Sequence, residues 1–183
     1  MAQVEPLNRG VIVSREYRLV DCGLPQPQPG DKPGIATECP PITQAKVGDV
    51  IDVRLNIVAP QQLYYLIVED PLPAGTEAID TSLRTTSSTA QGPEVQKVAP
   101  GAKGTAGGKD WRWTNWWTPT HVDLRDEKTA LFATWLEPGS YEFRYQIRAS
   151  LPGEFLTLPP TAYQMYHPEV WGRGAGGTFT VTE

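Results

Sequence analysis

Long hydrophobic runs are missing from this 183-residue chain. No stretch approaches the roughly 20 apolar residues of a membrane-spanning helix, which excludes that way of crossing a bilayer. Clusters of lysine and arginine are missing too. Lys and Arg number 16 against 21 Asp and Glu, for a net charge of -5. A nucleic-acid binder needs a basic face, and an anionic membrane surface attracts polybasic segments; neither partner is expected. The first residues, MAQVEPLNRG, lack the charged-then-apolar layout of a signal peptide. If the protein is exported, the signal is not in this chain, which is then expected to be a piece of a longer protein.

Groups that carry chemistry are also scarce. The only histidines are His121 and His167, and the only cysteines Cys22 and Cys39. Two thiols and two distant imidazoles do not make a zinc site. Neither histidine lies in a nucleophile-elbow or protease pattern, and a nucleophile without a neighbouring base is weak. GTAGGK lacks the Gly-x4-Gly-Lys-Ser/Thr order of a phosphate loop. In HVDLRDEK, Asp123, Asp126 and Glu127 lie close together but without the EF-hand layout, so a solvated turn is expected rather than a calcium site. No catalytic residue, metal or cofactor is expected, and the chain is not expected to be an enzyme. Asn-x-Ser/Thr acceptors are missing, and so is any ten-residue segment with a helical apolar stripe. The one helical turn considered lies around EAIDTSL.

What is present is period two. In VIDVRLNIVA, Ile51, Val53, Leu55 and Ile57 alternate with Asp52, Arg54 and Asn56. In SYEFRYQIRA, Tyr141, Phe143, Tyr145 and Ile147 alternate with charged and polar residues. Such alternation sets one row against a core and one in water. RGVIVSREYRLV, LYYLIVED, KTALFATW, GEFLTL and GGTFTVTE read as further strands, with LYYLIVED central. Gly 17 and Pro 18 supply abundant turn chemistry. The expected fold is all-β, a seven-stranded antiparallel β-sandwich with long loop insertions, forming one domain over 1–183. Residues 84–110, rich in Ser, Thr, Gly, Ala and Lys without periodicity, are expected to form a flexible loop insertion.

Three features need a reading of their own. Cys22 and Cys39 bracket a proline-rich loop. A disulfide closing it would stabilise the fold by about 3 kcal/mol in the chain-entropy model, given an oxidising compartment; two unpaired thiols are the alternative. After the insertion come Trp111, Trp113, Trp116 and Trp117. Trp111 and Trp116 are a candidate binding surface for a sugar or a partner, as in a free-standing glycan- or cell-envelope-binding module. Against that, Trp113 and Trp117 could cap one open end of the sandwich. Third, TAYQMYHPEVWGR, 161–173, sets Met165, Tyr166 and Trp171 beside Pro168, which has no N–H for a strand ladder.

REY in the first strand, VGDVIDVRLNI, YYLIVEDPLPAGTEAIDTSL, HVDLRDEKTALFATWLEPGSYEFRYQIRASLPGEF and PPTAYQMYHPEVWGR…GTFTV follow one another from about Arg9 to Val181. In that order they resemble the C-terminal end of bacterial alpha-2-macroglobulins. EDPLPAG and MYHPEVWGR are the most specific parts. The resemblance implies a macroglobulin-like domain, immunoglobulin-like in architecture, within an exported, broad-spectrum protease inhibitor. In thioester-bearing members a protease cuts a bait segment, the protein rearranges, and a Cys–Gln thioester captures the attacker. That thioester lies in a Cys-x-Glu-Gln motif. Cys22 is followed by Gly-Leu-Pro and Cys39 by Pro-Pro-Ile, so this chain does not carry it. The resemblance implies that the partner is the thioester domain of the same parent chain, and target proteases through the parent. It also implies that Met165 and Tyr166 are the thioester-shielding contact, and Trp171 is then expected to anchor the segment inside the sandwich. The loop between the cysteines departs from the family pattern.

Overall fold

The computed structural model describes residues 4–23, 39–80, 92–98 and 121–183. Fourteen strands form among them. The first five are β1 (Leu7–Arg9), β2 (Ile12–Leu19), β3 (Gln44–Lys46), β4 (Val50–Ala59) and β5 (Leu63–Pro71). Then come β6 (Thr76–Ala78), β7 (Glu94–Val98), β8 (His121–Leu124), β9 (Lys128–Leu136) and β10 (Gly139–Ala149). The last are β11 (Gly153–Thr157), β12 (Thr161–Gln164), β13 (His167–Arg173) and β14 (Gly177–Thr182). Each of the seven expected strands is present, and the others are short segments that extend the sheets.

One sheet runs β1-β13-β12-β5-β9-β8, so β5 is central as its nearly continuous apolar run implies. A second runs β2-β4-β10-β6, with β7 also paired to β10. A third, β11-β14-β3, ends in a parallel pair between β14 and β3. The alternating residues build the core as cross-strand pairs: Tyr141 faces Ile57, Phe143 faces Leu55, Tyr145 faces Val53 and Ile147 faces Ile51. All eight are buried, and they meet Leu66 and Val68 of β5, Leu131 and Ala133 of β9 and Ala162 of β12 in one cluster. Apolar pairs of this kind add packing to the ladder's hydrogen bonds. Phe179 of β14 is fully buried and its ring lies 4.9 Å from that of Tyr17.

Two expectations meet a different structure. Within the span 84–110 expected as a loop, Glu94–Val98 is β7, paired with β10 from Arg144↔Glu94 to Ser140↔Val98. Val95 packs against the core cluster; five residues of strand are too short a signal to stand out between polar flanks. Residues 84–91 and 99–110 of that span lie outside the described residues. Of the helical turn considered around EAIDTSL, Glu77 and Ala78 belong instead to β6, held by pairing with Ile147–Ala149, and residues 81–83 lie outside the described residues. Tertiary pairing overrides weak local preference here.

Candidate functional site

β12 and β13 form a hairpin whose last pair is Gln164↔His167, leaving Met165 and Tyr166 as a two-residue tip. Among the described non-glycine residues only Tyr65 has positive φ. The tip is therefore not one of the primed turns that match strand twist, and unprimed turns splay the strands they join. The ladder behind the tip opens accordingly. Tyr163 pairs with Trp171, and the next pair is Gln164↔His167, so residues 168–170 bulge out. Pro168 sits in that bulge, where its missing N–H disrupts no ladder bond.

The tip rests on the start of β5. The Met165 N–H donates to the Tyr65 carbonyl at 2.9 Å. The Tyr64 N–H donates to Oε1 of Gln164 at 2.9 Å, and Gln164 is buried. The Tyr166 ring meets Tyr65 edge-on, centroids 5.0 Å apart at 87°, a favoured aromatic geometry. Met165 is nonetheless 48% exposed and Tyr166 66%. Tyr64, Tyr65 and Trp135, also exposed, lie at the same end of the sheet, with Tyr64 opposite Trp135. Large apolar side chains are thus gathered at one end of the sheet.

Trp171 is not inside the sandwich. Ala162 and its partner Gly172 point inward, Gly172 so closely that a Cβ there would lie 2.0 Å from the Val11 carbonyl oxygen. Period two then turns Trp171 outward. The Arg9 guanidinium lies over its ring at 5.8 Å. With Tyr163 and Pro168, Trp171 lines a shallow cavity of about 460 Å³.

A buried ionic cluster ties the sheets together. Arg15 of β2 donates through Nη1 to Asp70 Oδ1 of β5 at 2.5 Å and to the Pro71 carbonyl at 3.1 Å. Its Nη2 donates to the Leu158 carbonyl at 3.0 Å. The Tyr145 hydroxyl of β10 donates to Asp70 Oδ2 at 2.6 Å. Burial pushes the Asp70 carboxyl above the usual carboxylate range, and Arg15 with the Tyr145 hydroxyl offsets only part of that. Burial works most strongly against the Arg15 charge, but Asp70, Tyr17 and Tyr145 together outweigh it and the guanidinium is raised. No sequence signal pointed to this cluster, because its members are 55 and 75 positions apart.

Cys22 and Cys39 are bonded, with Cα atoms 5.9 Å apart. The returning end is tied to β2, where Arg18 Nη1 donates to the Cys39 carbonyl at 2.7 Å. Trp111, Trp113, Trp116 and Trp117 lie outside the described residues, and so does the glycan-binding reading that rests on them. Asp123 pairs with Arg125 at 2.7 Å on the surface. No helix among the described residues is long and apolar enough to cross a membrane.

Residues 10–169 match the family described as the Bacterial Alpha-2-macroglobulin MG10 domain. The chain is 31% identical over 152 residues to an alpha-2-macroglobulin homolog from Nostoc sp., covering 83% of this chain and 7% of that protein. Native alpha-2-macroglobulin from Escherichia coli, spanning domain MG7 to the C-terminus, has a similar fold. The TM-score is 0.68 at 20% identity, covering 97% of this chain and 24% of that one. The Escherichia coli protein activated by porcine elastase gives a TM-score of 0.70 at 18% identity, covering 98% and 14%. At these identities the structural likeness speaks for the fold.

Proposed function

This chain belongs to the bacterial alpha-2-macroglobulin MG10 domain family, and from that premise we propose that it is the non-catalytic C-terminal domain of a protease trap. In this reading it packs on the thioester domain of its own parent chain and shields the thioester with Met165 and Tyr166. Target proteases meet it only through the parent. The observation that carries the reading is the exposed Met165–Tyr166 tip, backed by hydrogen bonds and a ring contact yet excluded from the core.

The physical logic is exclusion of water. A thioester survives only while water is kept from its carbonyl. A thioether side chain fills irregular gaps, and a tyrosine covers area with a rigid ring. Burying each contributes about 1.5–3 kcal/mol. Such a contact holds at rest and releases when cleavage rearranges the parent. The Cys22–Cys39 bond supports an oxidising compartment, in line with an exported parent in the periplasm, cell envelope or medium.

The test is Met165→Ala with Tyr166→Ala in a parent protein carrying Cys-x-Glu-Gln. Methylamine consumption without protease should rise about tenfold or more, since roughly 1.4 kcal/mol of lost cover is one decade. An unchanged rate refutes the shielding role.

A further inference from the structure

We infer that Tyr65 is a positioning residue that presets the Met165–Tyr166 tip for docking. The inference rests on the shielding reading for its purpose and on separate geometry for its mechanism. Tyr65, the third residue of β5, sits at φ +49°, a conformation uncommon for a bulky residue and one that marks functional constraint when the surroundings hold it there. The surroundings do hold it. Leu63 and Tyr64 pair with β9 before it and Leu66 after it, while Tyr65 itself drops out of that ladder.

The twist at Tyr65 has two visible effects. It breaks the in-out alternation of β5, so that Tyr64 and Tyr65 are both about half exposed before Leu66 returns to the core. Two consecutive outward rings are not available to a regular strand. It also leaves Tyr65 to serve the tip alone: its carbonyl takes the Met165 N–H, and its ring takes the edge of Tyr166. Both tip residues thus have a contact on this one residue, Met165 with its backbone carbonyl and Tyr166 with its ring. A tip already held in place loses less freedom on docking.

Two substitutions separate positioning from stability. Tyr65→Asn keeps a residue that tolerates this φ and removes the ring. Tyr65→Phe keeps the ring. In this chain, Tyr65→Asn should leave the urea midpoint unchanged or higher, while the Met165 amide exchanges with solvent about three- to tenfold faster, the range of one aromatic contact. Tyr65→Phe should match the unsubstituted chain on both measures. In the parent, Tyr65→Asn should speed methylamine consumption and Tyr65→Phe should not. Met165 exchange within twofold in Tyr65→Asn overturns the inference. So does faster exchange matched by an equal loss of global stability, or by equal effects in Tyr65→Phe. If Met165→Ala with Tyr166→Ala leaves methylamine consumption unchanged, shielding falls; the exchange measurement then still decides whether Tyr65 holds the tip.

Discussion

Removing Asp70 alone should do far more harm than removing the whole buried cluster. Asp70 is fully buried and the Arg15 side chain is 4% exposed. In Asp70→Ala, the Arg15 guanidinium keeps the Pro71 and Leu158 carbonyls and the face of the Tyr17 ring but loses its carboxylate, and the Tyr145 hydroxyl loses its acceptor. An uncompensated buried charge of this kind costs about 3–5 kcal/mol, a large share of the roughly 5–15 kcal/mol typical of a domain. For a chain of this size that is a fall in Tm of about 6–20 °C. The companion variant combines Arg15→Met, Asp70→Leu and Tyr145→Phe. It removes the charges and the hydroxyl together, and should be within about 1 kcal/mol of the original or more stable. The raised Asp70 carboxyl points the same way, because burial outweighs the partners. Its pH dependence has a definite sign. Between the unfolded value of about 3.9 and the higher folded value, the folded chain holds a proton that the unfolded chain releases. The Asp70 contribution to stability therefore falls as pH rises through that window. The triple variant lacks this effect and should gain on the original over the same window. Urea denaturation at several pH values measures all of it. A loss under about 1 kcal/mol in Asp70→Ala, or a triple variant as unstable as the single one, refutes the reasoning.

Two stability predictions follow from local geometry. Cys22→Ser with Cys39→Ser opens a loop with a separation of 17 residues and should lower stability by about 3 kcal/mol, seen as a matching loss in a reducing-agent-free denaturation curve and no further loss on adding reductant. Gly172→Ala drives a methyl into the Val11 carbonyl oxygen and should cost about 1–3 kcal/mol; a Tm unchanged within a degree contradicts the packing of β13 on that carbonyl.

Period two was enough to read β4 and β10, because VIDVRLNIVA and SYEFRYQIRA carry their facing rows in plain alternation and pair with each other over their length. Trp171 shows where that reading failed. A large aromatic in an apolar segment suggests an anchor, yet the inward position belongs to Gly172, and only the contact with Val11 from another strand reveals it. Glu94–Val98 failed for a different reason: its pairing with β10 is long-range, and its five residues carry little pattern. Tyr65 was read as one more strand residue, since nothing in LYYLIVED announces a left-handed backbone.

The segments that carry the family resemblance divide on physical grounds. REY and EDPLPAG look unrelated in sequence but meet in space, with Arg15 donating to Asp70 and to the Pro71 carbonyl. In the same segment the Pro73 carbonyl accepts from the Thr76 hydroxyl at 2.8 Å. Gly75 leaves room for the Phe155 ring of LPGEF, which would lie 2.1 Å from a Cβ there. Each of these residues has its reason inside the domain. In MYHPEVWGR, Gly172 has such a reason and Pro168 fits its bulge. Met165 and Tyr166 do not: the hairpin could close with polar turn residues at no cost to the core, and the two are about half and two-thirds exposed. Tyr65 even adopts an unfavourable backbone to steady them. Apolar surface that is held in place, exposed, and unused by the domain that carries it is what the proposed role requires, a dry seal over a hydrolysable bond on a second surface.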